Sequence, residues 1–170
     1  MHEAQRDQVA VHEAGHAVAY YVMGRPIKRA VVALSEHRVV PVERPRIGNP
    51  EEATVAASGW AAEKYWYRTT ISDPQHAQDA INTAWLNLGA SADEEAIERF
   101  AAEFDDVAED EAWLLADELV ARHWALVEAV AEALKAEAEF GQRRLTEIAD
   151  SCGVPFGECT ADSLRTGDDS

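Results

Sequence analysis

Cysteine is nearly missing from this 170-residue chain: there are two, Cys152 and Cys159, both near the C-terminus. Two late cysteines could pair, but they do not make a disulfide framework, so reduced thiols and a cytoplasmic setting are expected. Long apolar runs are missing too. The longest, around Ala17 to Met23, covers about one-third of a bilayer span and carries two tyrosines. No basic stretch precedes an apolar block at the N-terminus, so neither a signal peptide nor a membrane segment is expected and the chain reads as soluble. Basic residues are scarce, 15 Lys and Arg against 32 Asp and Glu, for a net charge of -17. That sign argues against nucleic acid and anionic membranes as partners. The imbalance is also uneven: residues 1–90 hold 10 acids and 9 bases, residues 91–170 hold 22 and 6. The acidic second half reads as a solvated, self-repelling surface, with docking of a basic protein partner as the alternative.

What is present is helical. With 47% apolar residues the chain has enough for one domain with a core. Glu3 to about Met23 has helical composition and stops at Gly24 and Arg25-Pro26. Arg29 to Leu34 and Arg38 to Val42 are short β-branched runs around Ser35-Glu36-His37, which predicts a small hairpin. Pro41 and Pro45 make its second strand an edge or irregular one. Asn49-Pro50-Glu51-Glu52 starts a helix running to about Arg68. Ser72-Asp73-Pro74 opens another, to about Leu88, stopped by Gly89. Ser91-Ala92-Asp93-Glu94 is a capping box for a helix ending near Phe104. Val107 to Phe140 reads as continuously helical, with Leu115, Leu119, Leu126, Val130 and Leu134 on one buried stripe and room for a break near Arg122-His123. Gly141 ends it, and Gln142 to Asp150 forms a last short helix. The fold class is therefore mainly α-helical, α+β with a small hairpin or sheet. It is one domain over 1–150, with an irregular or mobile tail over 151–170.

The chemistry sits in "VAVHEAGHAVAYYV", where His12-Glu13-Ala14-Gly15-His16 matches H-E-x-x-H. Residues four apart share a helix face, so both imidazoles can hold one zinc ion. Glu13 lies one position round, placed to reach a water rather than to ligate. That is the division of labour of metal-assisted hydrolysis: the ion acidifies water, and the carboxylate carries its proton to the leaving amine. A bland reading, two histidines on an ordinary amphipathic helix, is weighed against it. A third protein ligand is needed. The metzincin pattern is excluded, because Ala19 and Val22 stand where it needs Gly and His. Glu63, Asp73, His76 and Asp79 remain, and spacing does not choose among them. Of the other histidines, His37 in the hairpin turn could approach a substrate. His123, near the buried stripe, reads as a hydrogen-bonded core residue. The five tryptophans read as packing.

"QVAVHEAGHAVAYYVMG", "ASGWAAEKYW" and "ISDPQHAQDAINTAW", in that order, resemble the peptidase domain of the FtsH family of ATP-dependent zinc proteases. The later "LLADELVARHWALVEAVAEALKAEAEFGQRRLTEI" resembles that family's C-terminal helices, so the likeness covers about residues 4 to 149. It implies a zincin-type peptidase domain with a metal half over 1–90 and an acidic helical half over 91–150. It further implies that the ion is Zn2+, that His12, His16 and Asp73 hold it, that Glu13 is the base and that Glu63 packs or orients a histidine. The family's ATPase module has no counterpart here, and the chain holds no Walker motif. The segment that carries the family's substrate-aligning strand is shortened to "RAVVALSEHRVVPVERP". The implied activity is ATP-independent cleavage of unstructured polypeptide. A zinc-retaining, non-catalytic binding or regulatory module is the alternative, and the oligomeric state is open.

Overall fold

The computed structural model describes residues 3–33, 36–43, 50–87, 95, 97, 107–159 and 163. The chain is mainly helical with a small antiparallel sheet of three strands. In chain order the elements are α1 (Glu3–Val22), β1 (Ile27–Val32), β2 (His37–Pro41), α2 (Pro50–Thr70), α3 (Pro74–Asn87), α4 (Val107–Arg122), α5 (Trp124–Glu137), β3 (Glu139–Phe140) and α6 (Gln142–Cys152). The helix expected from Ser91 lies outside the described residues except for Glu95 and Ile97, both helical. The Asn49 cap and the Gly89 stop also lie outside them.

Helix α1 is the centre of the molecule. It packs against α2, α5 and the sheet, and from Val9 to Met23 every residue except His12 and His16 is buried. Small residues make this possible. A Cβ on Gly15 would strike the Ser58 carbonyl oxygen of α2 and stand 2.8 Å from the Ala62 Cβ. Gly15 therefore costs α1 some helix propensity but lets two backbones meet closely. Ion pairs mark the same contacts: Lys135 of α5 reaches Asp7 of α1 at 3.2 Å, and Lys64 of α2 reaches Asp117 of α4 at 2.7 Å. At the end of α1, Arg25 pairs with Glu52 at the start of α2, and its guanidinium lies over the Tyr20 ring, 5.4 Å from the centroid.

The strand order is β2-β1-β3. The hairpin expected from sequence forms with its strands shifted toward the N-terminus, pairing Ile27 with Pro41 and Val32 with His37, and a bulge at Lys28. Strand β2 is an edge, which suits Pro41. The third strand was not expected. The helix read as continuous to Phe140 breaks at His123 and ends at Glu137, where Ala138 takes a left-handed conformation (φ 62°) and its N–H donates to the Leu134 carbonyl. That turn swings Glu139 and Phe140 beside β1, pairing Ala30 with Phe140 and Val31 with Glu139. Periodicity could not show this, because a two-residue strand has no period and the stop falls on alanine rather than on Gly141.

From Val154 to Cys159 the chain is irregular and is held in place. The Gly157 N–H donates to the Tyr21 carbonyl at 3.1 Å and the Cys159 N–H to the Val22 carbonyl at 2.7 Å. Among the described residues no helix is long and apolar enough to cross a membrane.

Candidate metal centre

Helix α1 places His12 and His16 one turn apart, and α2 crosses directly over them. The two Nε2 atoms face each other at 3.0 Å. Each ring is fixed from behind by an acceptor. His12 Nδ1 meets the Glu63 carboxylate at 2.6 Å, and His16 Nδ1 meets the Val55 carbonyl oxygen at 2.8 Å. Glu63 is held in turn by Gln8, whose amide donates to its second oxygen at 2.6 Å.

These partners assign the tautomers: a carbonyl oxygen only accepts and a carboxylate oxygen is the matching acceptor, so both Nδ1 atoms are placed to donate. In neutral rings both Nε2 atoms are then lone pairs, and two lone pairs at this distance repel unless a positive charge lies between them. The charge can be a metal ion or a proton. Two imidazole nitrogens on one tetrahedral zinc lie about 3.3 Å apart, close to the spacing seen. A back-side hydrogen bond of this kind is also how metal-binding histidines are oriented.

Gly59 is the other half of the fit. A Cβ there would stand 2.5 Å from His16 Nε2 and 2.7 Å from His12 Nε2. Any side chain at this position would occupy the space beside both nitrogens. The two imidazoles and the space under Gly59 thus leave room for a small cation, with two protein donors facing it.

Glu13 is 5% exposed and lines, with Val9, His12, His37 and Glu63, a cleft of about 90 Å³. That is room for a few waters. His37 enters it from the start of β2, so the edge strand borders the cleft. Tyr67, one turn after Glu63, has its phenol pushed up to about 12, first by burial and then by the Glu63 charge.

The structure brings His12, Glu13, His16 and Glu63 together. It does not bring Asp73 to them. Asp73 is exposed at the start of α3, and its Oδ1 accepts from the Gln75 and His76 N–H groups at 2.9 and 3.0 Å. This is the helix cap that Ser72-Asp73-Pro74 implies locally. His76 and Asp79 are also exposed, and the Asp79 carboxylate accepts from the Gln75 amide at 3.0 Å. Among the described residues the group of three His, Cys, Asp or Glu donors close enough to share one ion is elsewhere: His123, Glu158 and Cys159. The structure thus contains a possible metal-binding triad that the sequence did not reveal.

Sequence reasoning also missed the Val55 carbonyl, which no side-chain pattern can announce, and Gln8. The latter was findable, since Gln8 precedes His12 by four residues and so shares its face. No protein-family model matches the chain, and no curated protein matches it.

Proposed function

We propose that the chain is a zinc metallopeptidase of FtsH-like type that hydrolyses peptide bonds in unstructured polypeptide without ATP. One observation carries the reading: two imidazoles whose Nδ1 atoms are both committed to acceptors, with their Nε2 atoms converging under Gly59. His12 and His16 would hold the ion; Asp73, the third ligand that the resemblance assigns, caps α3 through Oδ1 in this structure and would have to move to reach it. A zinc ion bound there supplies Lewis acidity toward water and a peptide carbonyl. Glu13, on the wall of the same cleft, takes the proton from the attacking water and delivers it to the leaving amine. Glu63 keeps the His12 ring in the tautomer that presents Nε2. The exposed edge of β2, which ends at His37 in the cleft, is where an extended peptide would lie.

A second reading has its own support. The strand region beside the cleft is short, with β2 running only from His37 to Pro41, which favours a binding module that does not cleave. Metal analysis together with hydrolysis of a flexible, casein-like substrate separates the two. Glu13→Gln is expected to retain its zinc and to lose roughly 10²–10⁴-fold in turnover. Undiminished turnover in that variant rejects the mechanism. A partner held uncut by both forms favours the binding module. A metal content unchanged by His12→Ala/His16→Ala rejects the site itself.

A further inference from the structure

A second cluster of ligating side chains lies where the irregular C-terminal segment meets the helices. His123 sits at the break between α4 and α5 and is 4% exposed; Cys159 is 3% exposed. Their Nε2 and Sγ atoms are 3.4 Å apart. A tetrahedral zinc with one imidazole and one thiolate ligand separates those atoms by about 3.6 Å. Glu158 is exposed, and its carboxylate completes a set in which one atom from each residue lies within 4.8 Å of the others. The set mixes a thiol, an imidazole and a carboxylate, the donor types of zinc and similar borderline ions rather than of calcium or magnesium.

The surroundings give such an ion a task. Val154 to Cys159 has no repeating structure and buries little of its surface: Val154 is half-buried, Cys159 is buried, and the four residues between them are exposed. Phe156 is 47% exposed, though its ring meets the Tyr21 ring at 5.2 Å. Yet the segment is fixed in place: the Gly157 and Cys159 N–H groups both donate to the end of α1, and Cys159 is turned inward onto His123. A segment this poor in burial has little to offset the entropy of ordering, and a metal clip is one established way to supply it.

We infer that His123, Glu158 and Cys159 form a second, structural site for zinc or a similar borderline divalent cation, which fastens the C-terminal segment across the α4–α5 break. The ion would join residues 36 apart in sequence. The glutamate side faces solvent, which leaves a position for water.

The site stands independently of the H-E-x-x-H centre, and the test keeps them apart. Zinc is counted in the wild-type chain, in His12→Ala/His16→Ala, and in the latter combined with Cys159→Ser. The expected content falls from two equivalents to one and then to none. Cobalt substituted into the His12→Ala/His16→Ala protein should give a thiolate-to-metal charge-transfer band that survives Cys152→Ser. Chelation should expose the chain after Gly153 to protease. A His12→Ala/His16→Ala protein that folds but takes up no zinc overturns the inference. So does cobalt uptake without a thiolate band, even if Cys159→Ser proves too unstable to study, because the band is read in protein that keeps Cys159. Either result leaves His123 and Cys159 as a plain hydrogen-bonded pair.

Discussion

Glu63 shows how much one buried carboxylate can decide. It is 3% exposed, accepts from Gln8 with one oxygen and fixes the His12 ring with the other. Glu63→Gln keeps the shape but replaces an acceptor-only group with an amide that can face either way. If His12 and His16 hold zinc, affinity should fall about 10–100-fold while the helices stay folded. Competition with a chromophoric chelator measures the first and circular dichroism the second. Unchanged affinity would remove Glu63 from the site. At this scale H-E-x-x-H was legible because His12, Glu13 and His16 lie within about one helical turn. The groups that orient them were less so. Glu63 was one of four candidates with no geometry to rank it, and the Val55 carbonyl has no identity in sequence at all. Asp73 was legible in two ways that compete, as a ligand by resemblance and as a cap by its local pattern, and the structure shows the cap.

Among the elements, Ala138 is the unusual joint. It is the non-glycine residue with positive φ among those described, and it ends α5 so that β3 can pair with β1. A left-handed alanine costs about 1–2 kcal/mol, while glycine adopts that conformation freely at some loss of chain entropy. Ala138→Gly should therefore leave the protein as stable or raise its stability by up to about 1 kcal/mol, read as the urea midpoint at an unchanged slope. A clear loss would mean that the alanine methyl carries packing that outweighs the strain. The helices α1, α2 and α3 were legible within a residue or two because caps, prolines and apolar spacing agreed. The end of α5 was not, because the usual stop residue, Gly141, follows the true stop by three positions.

For the molecule as a whole, alkaline pH is the informative axis. The Tyr20 phenol, beneath Arg25 and beside Glu52, is pushed up to about 12, mainly by burial and then by the Glu52 charge, with Arg25 opposing. Tyr67 is raised to about 12 as well. Both start from 10.0 when unfolded, so between those values the folded chain holds protons that the unfolded chain has released. Stability from this source is complete below pH 10 and declines as pH rises toward 12. Denaturant midpoints measured across that window should fall, and Tyr20→Phe should make the fall shallower. An equal slope in the variant would show that Tyr20 does not control it.

The placement of β3 has a consequence for how the protein comes into being. The residues that bear the histidines and the hairpin are made before α5 and β3, yet α5 covers α1 and β3 closes the second edge of β1. While α5 and β3 are still unmade, α1 has α2 and the hairpin against it but not α5, and one edge of β1 stays open. These contacts join distant parts of the chain, which slows folding and leaves the intermediate prone to association. The two histidines of α1 thus reach their final surroundings only once elements made well after them have folded back over the same helix.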